Sequence, residues 1–170
     1  SDLDNVAGHD GKVAIGAKNT STNNATTAVG NRNTATGGAA TAVGAGNTAS
    51  GNGSVAVGNV NNADAKAAVA VGTYNNVNYT KGSWETTPKK AGEYSTVVGN
   101  YSSATGTSAS AMGVYTNATG AGSFAAGYNN NAKGQNSVAI GSENTSHVAD
   151  TVTLGQFNNA KTMGGISIGD

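Results

Sequence analysis

The chain has 170 residues, of which 11% are charged, with nine basic residues balanced by nine acidic ones and no cysteine. This balance argues against a surface for nucleic acid or for an anionic membrane, and the lack of cysteine excludes disulfides and thiolate sites. No run has the length and apolar character of a transmembrane helix, and the polar N-terminus does not resemble a signal peptide. The length allows one domain, residues 1–170.

A tetrapeptide of small or apolar residues closed by glycine recurs every fourteen residues. The closing glycines are Gly16, Gly30, Gly44, Gly58, Gly72, Gly99, Gly113, Gly127, Gly141, Gly155 and Gly169. The step from Gly72 to Gly99 is twenty-seven residues, or one repeat plus a thirteen-residue insertion. A short fixed period is typical of a solenoid in which each rung contacts its neighbours.

Each repeat is predicted to form a flat rung of two strands of about five residues, each followed by a tight turn. The residues one and three places before the glycine, such as Val57 and Val55, share a strand face and are expected to form the core. The intervening column carries no charge and is mostly alanine. Because the core is thin, we expect this column to pack against other copies of the chain, whose number the columns alone do not fix. Its alanines are Ala14, Ala28, Ala42, Ala56, Ala70, Ala111, Ala125 and Ala139.

Two further columns have a structural interpretation. The glycines are expected at bends where a side chain would clash or where a positive φ is needed. The asparagines at the third position after the glycine are expected to stack their amides in a ladder along one turn. They are Asn19, Asn33, Asn47, Asn61, Asn75, Asn130, Asn144 and Asn158.

The phrase N-x-[ST]-A-x-G-x-x-S-[VF]-A-[IV]-G, found at residues 130–141 and closely at 47–58, resembles the head repeat of YadA-like trimeric autotransporter adhesins. The resemblance covers about residues 13–169. It implies a left-handed parallel β-roll, three copies around a shared axis, and binding of host matrix proteins or cells from the tip of a fibre. In that family a neck, a coiled-coil stalk and a membrane anchor follow the head. None of these is expected in this segment, and a signal peptide is expected to lie outside it.

Two features stand out as candidate ligand contacts. The first is an aromatic column two residues after the glycine, formed by Tyr74, Tyr101 and Tyr115, with Phe157 further along, which is either a structural ladder or a contact stripe. The second is the insertion at about residues 78–90, a departure from the family pattern. It holds the chain's one tryptophan, Trp84, together with Lys81, Lys89 and Lys90, and is either a binding loop or a loop that packs on a neighbouring copy.

Catalytic, cofactor and metal sites find little support. Glu143, Ser146, His147 and Asp150 are close in sequence, but residues of one turn do not make a triad without a third element to orient them. Two distant histidines and scattered carboxylates do not supply a closed set of metal ligands. No enzymatic activity and no cofactor are therefore expected.

The sequence thus predicts an adhesin head on the bacterial cell surface, displayed from the outer membrane, with a role in virulence. A structural spacer or a self-association module for autoagglutination or biofilm is the alternative. A solenoid enzyme fits less well, because neither the six-residue step of acyltransferases nor the clustered charges of lyases are present. An ice-binding solenoid would need an outward Thr-x-Thr array, whereas Thr27, Thr41 and Thr96 alternate with valine.

Overall fold

The computed structural model describes residues 5–7, 11–79 and 86–169. These residues form an all-β parallel solenoid of stacked fourteen-residue turns, as the period predicts. The longer strand of every rung joins one continuous 11-stranded parallel sheet. Its strands are Val13–Ala17, Thr27–Asn31, Thr41–Ala45, Val55–Asn59, Val69–Thr73, Thr96–Asn100, Ser110–Val114, Phe124–Tyr128, Val138–Ser142, Val152–Gln156 and Ile166–Gly169.

The second wall of the solenoid is made of two-residue strands in two five-stranded parallel sheets. The first sheet contains Val6–Ala7, Thr20–Ser21, Thr34–Ala35, Thr48–Ala49 and Asn62–Ala63, and the second contains Ser103–Ala104, Asn117–Ala118, Asn131–Ala132, Thr145–Ser146 and Asn159–Ala160. The prediction of two similar strands is wrong in this respect: turns take up most of the second half of each rung. In the described ranges no helix is long or apolar enough to span a membrane.

The insertion does not disturb the long sheet. Val69 pairs with Thr96 and Gly72 with Gly99, so the register passes over the extra thirteen residues as if they were absent. The inserted residues form an antiparallel hairpin of Val77–Tyr79 and Thr86–Pro88. This hairpin stands where the second wall is divided into its two sheets.

The alanine column lies inside the roll, which overturns the prediction that it faces outward. Ala28, Ala42, Ala56, Ala70, Ala111, Ala125 and Ala139 are all 0% exposed within one chain, and Ala14 in the first rung of the long sheet is half-buried. The fully buried alanines have no surface left with which to contact another copy. The aliphatic columns predicted to form the core, such as Val55 and Val57, instead stand on the outer face of the long sheet and are only half-buried.

The narrow gap between the two walls explains this orientation. Opposite the alanine column of the long sheet lies a second buried column of small residues, including Ala35, Ala49 and Ala63. Where hydroxyls replace alanine in both walls, Ser146 Oγ and Thr153 Oγ1 meet at 2.9 Å. Walls this close have room for methyl and hydroxymethyl groups but not for valine or isoleucine, because interiors are packed without spare volume.

The closing glycines are required by both backbone conformation and contact. Gly44 has a φ of 118°, and a Cβ added to it would lie 2.0 Å from the carbonyl oxygen of Gly58 in the next rung. No side chain fits that distance, and L-residues rarely adopt such a φ. The prediction that these glycines mark obligatory bends is confirmed.

The asparagine ladder is also confirmed, and its members are buried. Asn47 Nδ2 donates to the carbonyls of Val43 at 2.9 Å and Gly58 at 2.8 Å. Its Oδ1 accepts both the backbone N–H and the Nδ2 of Asn61 at 3.0 Å. Each amide therefore links three successive rungs, and the ladder satisfies polar groups that the interior would otherwise leave unpaired.

Replacing Asn47 with alanine is expected to lower the free energy of unfolding by about 3 kcal/mol or more, because two carbonyls and one N–H lose their partner inside the roll. Urea denaturation measures the change. Asn52→Ala is the matched control, because this asparagine is exposed and its loss should change stability by less than about 0.5 kcal/mol. Equal effects of the two substitutions would contradict the ladder's role.

Candidate binding site

The rung that begins at Gly72 departs most from the repeat. The chain leaves the rung after Asn76, forms the hairpin and returns at Lys89, whose N–H donates to the carbonyl of Asn76 at 2.7 Å. The carbonyl of Lys89 accepts from Asn62 Nδ2 at 3.0 Å, and the N–H of Ala91 donates to Asp64 Oδ1 at 2.7 Å. The returning side of the hairpin base is thus fixed to the preceding rung by two hydrogen bonds.

A side-chain amide bridges the break in the second wall. Asn76 Nδ2 donates to the carbonyl of Asn62 in the rung before, and Asn76 Oδ1 accepts from the N–H of Ala104 in the rung after. This rung lacks the two-residue strand of the second wall. The two bonds, 3.0 and 2.9 Å long, take the place of the backbone hydrogen bonds that such a strand would make to the rungs before and after it. The hairpin is therefore attached to an almost unbroken solenoid, which is how a rigid scaffold carries a binding element.

The predicted aromatic column is a true stack. The rings of Tyr74 and Tyr101 lie 5.2 Å apart at 8°, and those of Tyr101 and Tyr115 lie 5.3 Å apart at 16°. These distances are close to the ~4.8 Å rise between hydrogen-bonded strands, so the rungs themselves set the stacking. Tyr115 then meets Tyr128 edge to face, at 6.2 Å and 88°.

The stack and the hairpin base enclose a shallow groove of about 340 Å³. Its lining residues are Val77, Lys89, Tyr101, Tyr115, Asn117, Tyr128 and Asn129. Exposure increases along the tyrosines: Tyr74 and Tyr101 are half-buried, whereas Tyr115 is 44% and Tyr128 50% exposed. We call this feature the tyrosine groove.

The other side of the hairpin base carries a second, more charged depression. It is lined by Asp64, Lys66, Lys90 and Glu93 among others. Lys66 Nζ lies 5.5 Å from the centre of the Tyr94 ring, and its hydrogen bond to Tyr94 raises the pKa of the lysine. Opposite charges already neighbour one another here, so the depression offers no excess charge to a ligand.

The structure brings only part of the predicted ligand set together. Tyr101, Tyr115 and Lys89 line the tyrosine groove, and Tyr74 stacks against Tyr101. Lys90 faces the charged depression instead. Lys81 and Trp84 lie outside the described residues. Phe157 is three rungs beyond Tyr115 and not part of the stack.

Sequence reasoning missed Val77, Asn117, Tyr128 and Asn129 as members of the groove. Tyr128 was overlooked because it sits one residue after its glycine, at the end of a long strand, while the other tyrosines sit two residues after theirs. The sequence did contain a signal: Asn129 takes the turn position that tyrosine holds in the preceding rungs, and the residue just before it is Tyr128. Comparing aromatic residues in neighbouring columns would have found it.

The residues weighed as a catalytic cluster do not converge. Ser146 is buried, and its hydroxyl donates to the carbonyl of Val138 at 2.6 Å. His147, the next residue, is exposed. The serine hydroxyl is inside the roll and already bonded, while the imidazole is in solvent, so the two do not form a nucleophile–base pair. Among the described residues, no group of three or more histidine or acidic side chains is placed to hold a metal ion.

The chain matches a known family model. Three segments, residues 35–61, 91–116 and 118–144, match the YadA head domain repeat, a family model that spans two copies of the repeat. The second segment begins where the chain re-enters the solenoid after the hairpin. No curated protein matches the chain closely enough to count as a relative.

Proposed function

We propose that this chain, a YadA-like head domain, is the adhesive head of a trimeric autotransporter adhesin. It would be displayed from the outer membrane of a bacterium and attach to host extracellular matrix proteins or cell-surface receptors. Attachment would be non-covalent, with no cofactor and no catalytic step. An adhesin-type role is what the family indicates; the host target and the surface location are our proposal.

The outer face of the long sheet supports assembly into trimers. Two columns of mostly aliphatic side chains run along it for about 50 Å, given eleven strands at ~4.8 Å each. Val98 is 38% and Met112 44% exposed in a single chain. A continuous apolar strip of this length marks an interaction surface. Resemblance to the family supports three copies, each burying this face against the others.

The adhesive role is supported by one observation: the features that depart from the repeat are grouped in one part of the solenoid. The hairpin, the tyrosine stack and the break in the second wall all fall within the rungs from Gly72 to Gly127. The asparagine ladder changes there too, with Ser102 and Thr116 in its place. A solenoid that served only as a spacer would not need a different surface in four consecutive rungs, since each rung contacts mainly its neighbours.

Removing the hairpin tests this role. We delete residues 78–90 and replace Val77 with alanine. Residues 75–77 are then followed directly by Ala91 and Gly92 and read N-N-A-A-G, close to the N-N-A-D-A of residues 61–65 in an ordinary rung. The added substitution is needed because the shortened rung would place Val77 in the narrow alanine column. We expect a folded assembly with an unchanged melting temperature within a few degrees and a strong loss of binding to immobilised matrix proteins and cells.

The matched control deletes an ordinary repeat, residues 30–43, and should keep binding. Solid-phase assays on collagen, fibronectin, laminin and cell receptors measure attachment for both proteins. Full binding by the hairpin deletion would refute this location of the ligand face. Clumping of cells that display the head, with no attachment to any host surface, would favour the self-association alternative.

A further inference from the structure

We propose that the tyrosine groove binds a carboxylated saccharide, such as a sialic acid or uronic acid unit of a host glycan. The inference rests on the proposed adhesive function and adds a ligand class to it. Three observations carry it: the identity of the exposed residues, the chemistry of the lining and the position of a single charge.

The fold requires tyrosine neither one residue after the glycine, where Ala45 and Asn59 stand in other rungs, nor at the turn position two residues after it. The same turn position is occupied by Lys18, Arg32, Gly46 and Val60 in other rungs, with a similarly positive φ of 52–66° throughout. Tyr115 and Tyr128 nevertheless leave about half of their surfaces in solvent. Exposed aromatic residues grouped where a scaffold does not need them are typical of contact residues, which contribute when a ligand desolvates them.

The lining matches a hydroxyl-rich ligand. Phenol hydroxyls and asparagine amides both donate and accept hydrogen bonds, as a sugar requires, and Val77 is the one aliphatic side chain among the seven. The ring of Tyr128 is perpendicular to that of Tyr115, so the rings that line the groove are not all parallel. The apolar C–H face of a sugar ring can pack on such a ring. Pockets for apolar ligands carry only a few polar groups, whereas every side chain that lines this groove except Val77 carries one.

The charge indicates an anionic sugar. Lys89 is the one charged residue among the seven that line the groove, and none of the seven is acidic. One ammonium group suits one carboxylate. A heavily sulfated polymer would need a cluster of basic residues, which a chain with nine basic and nine acidic residues does not concentrate in this groove. The volume of about 340 Å³ lies at the small end of the ~300–1,000 Å³ range of ligand sites, which suits a terminal sugar or a disaccharide.

The test titrates the assembled protein with 3′-sialyllactose, a glucuronic acid disaccharide and neutral lactose, followed by saturation-transfer NMR and calorimetry. We expect one of the two acidic probes to bind at least about tenfold more tightly than lactose. Tyr115→Ala should weaken that binding by about tenfold or more. Lys89→Met should remove the preference for the acidic probe while weak binding of lactose persists.

Two control variants use residues outside the groove. Phe157→Ala removes an exposed ring from the same turn position three rungs away, and Lys133→Met removes an exposed lysine from a neighbouring rung. Both should bind the acidic probe like the unmodified protein. Light scattering of every variant should show an unchanged assembly.

Four results would overturn the proposal: no binding of either acidic probe at millimolar concentration, equal binding of lactose, competition by a proline-rich peptide instead of by saccharide, or loss of assembly in Tyr115→Ala. The proposed function is tested separately by attachment. If the head attaches to matrix while neither acidic probe binds, the saccharide site is wrong and the adhesin role stands. If saccharide binds but the head attaches to no host surface, the adhesive role is wrong and the site stands.

Discussion

Replacing Ala56 with glutamate should unfold the solenoid, whereas replacing its neighbour Val57 with glutamate should leave each roll folded and separate the copies. Ala56 is 0% exposed within one chain, so a carboxylate there would be buried without a partner. That substitution should cost more than about 4 kcal/mol, a large part of the stability of a typical domain. Val57 is half-buried in a single chain, where a carboxylate can reach water.

Far-UV circular dichroism and light scattering distinguish the two outcomes. Ala56→Glu should lose the β-sheet signal, and Ala125→Glu should behave in the same way because it occupies the same column. Val57→Glu should keep the β-sheet signal while the mass of the assembly falls toward that of one chain. The dissociation should be more complete when Val71→Glu in the next rung is added. The reverse pattern, with Ala56→Glu giving folded single chains, would restore the orientation predicted from the sequence.

Deleting whole and half repeats should have opposite effects. Removal of residues 30–43 joins Val29 to Gly44 and keeps every column in place, so the rod should become about 5 Å shorter and remain folded. Removal of residues 30–36 leaves a seven-residue rung that cannot contain both walls. Because seven is an odd number, the deletion also shifts the register so that the two faces of a strand are exchanged. Valines would then lie in the alanine core.

Thermal melting and circular dichroism measure both deletions. The whole-repeat deletion should melt within a few degrees of the unmodified protein, and the half-repeat deletion should show no cooperative transition. Similar behaviour of the two proteins would contradict the fourteen-residue rung.

Most of the scaffold could be predicted from the sequence because its signals are local and repeated. Equal spacing of Gly44 and Gly58 predicts which residues pair in the sheet, and the pairing is as expected. A small polar residue such as Asn47 at a fixed place in most turns predicts an amide ladder, and the structure contains this ladder and buries it. Both features depend on one rung and its neighbours, which a period describes completely.

The orientation of the long sheet could not be obtained from alternation alone. Alternation shows that Ala56 and Val57 face opposite sides, but not which side is inside. Larger apolar side chains usually fill cores, and that expectation failed because the second wall is lined by small residues such as Ala49 and Ala63. Two facing columns of small residues were visible in the sequence and indicate a thin interior with the valines outside.

The tyrosine groove was predictable only in part. Stacking of Tyr74, Tyr101 and Tyr115 follows from the period, and the structure confirms it. The contribution of Lys89 depends on where the hairpin rejoins the solenoid, which is set by hydrogen bonds between rungs and not by spacing. Non-repetitive residues escape an argument based on repetition, and such residues, Lys89 among them, complete the groove beside the repeated tyrosines.

The central claim is that alanine forms the core and that the aliphatic face is the interface between copies. The most direct test is the mass of the species that the unmodified protein forms in dilute solution. Light scattering should give three times the 16.5 kDa of one chain, with a β-sheet spectrum, at every concentration down to the micromolar range. A stable, folded species of 16.5 kDa with its aliphatic strip in water would contradict the claim.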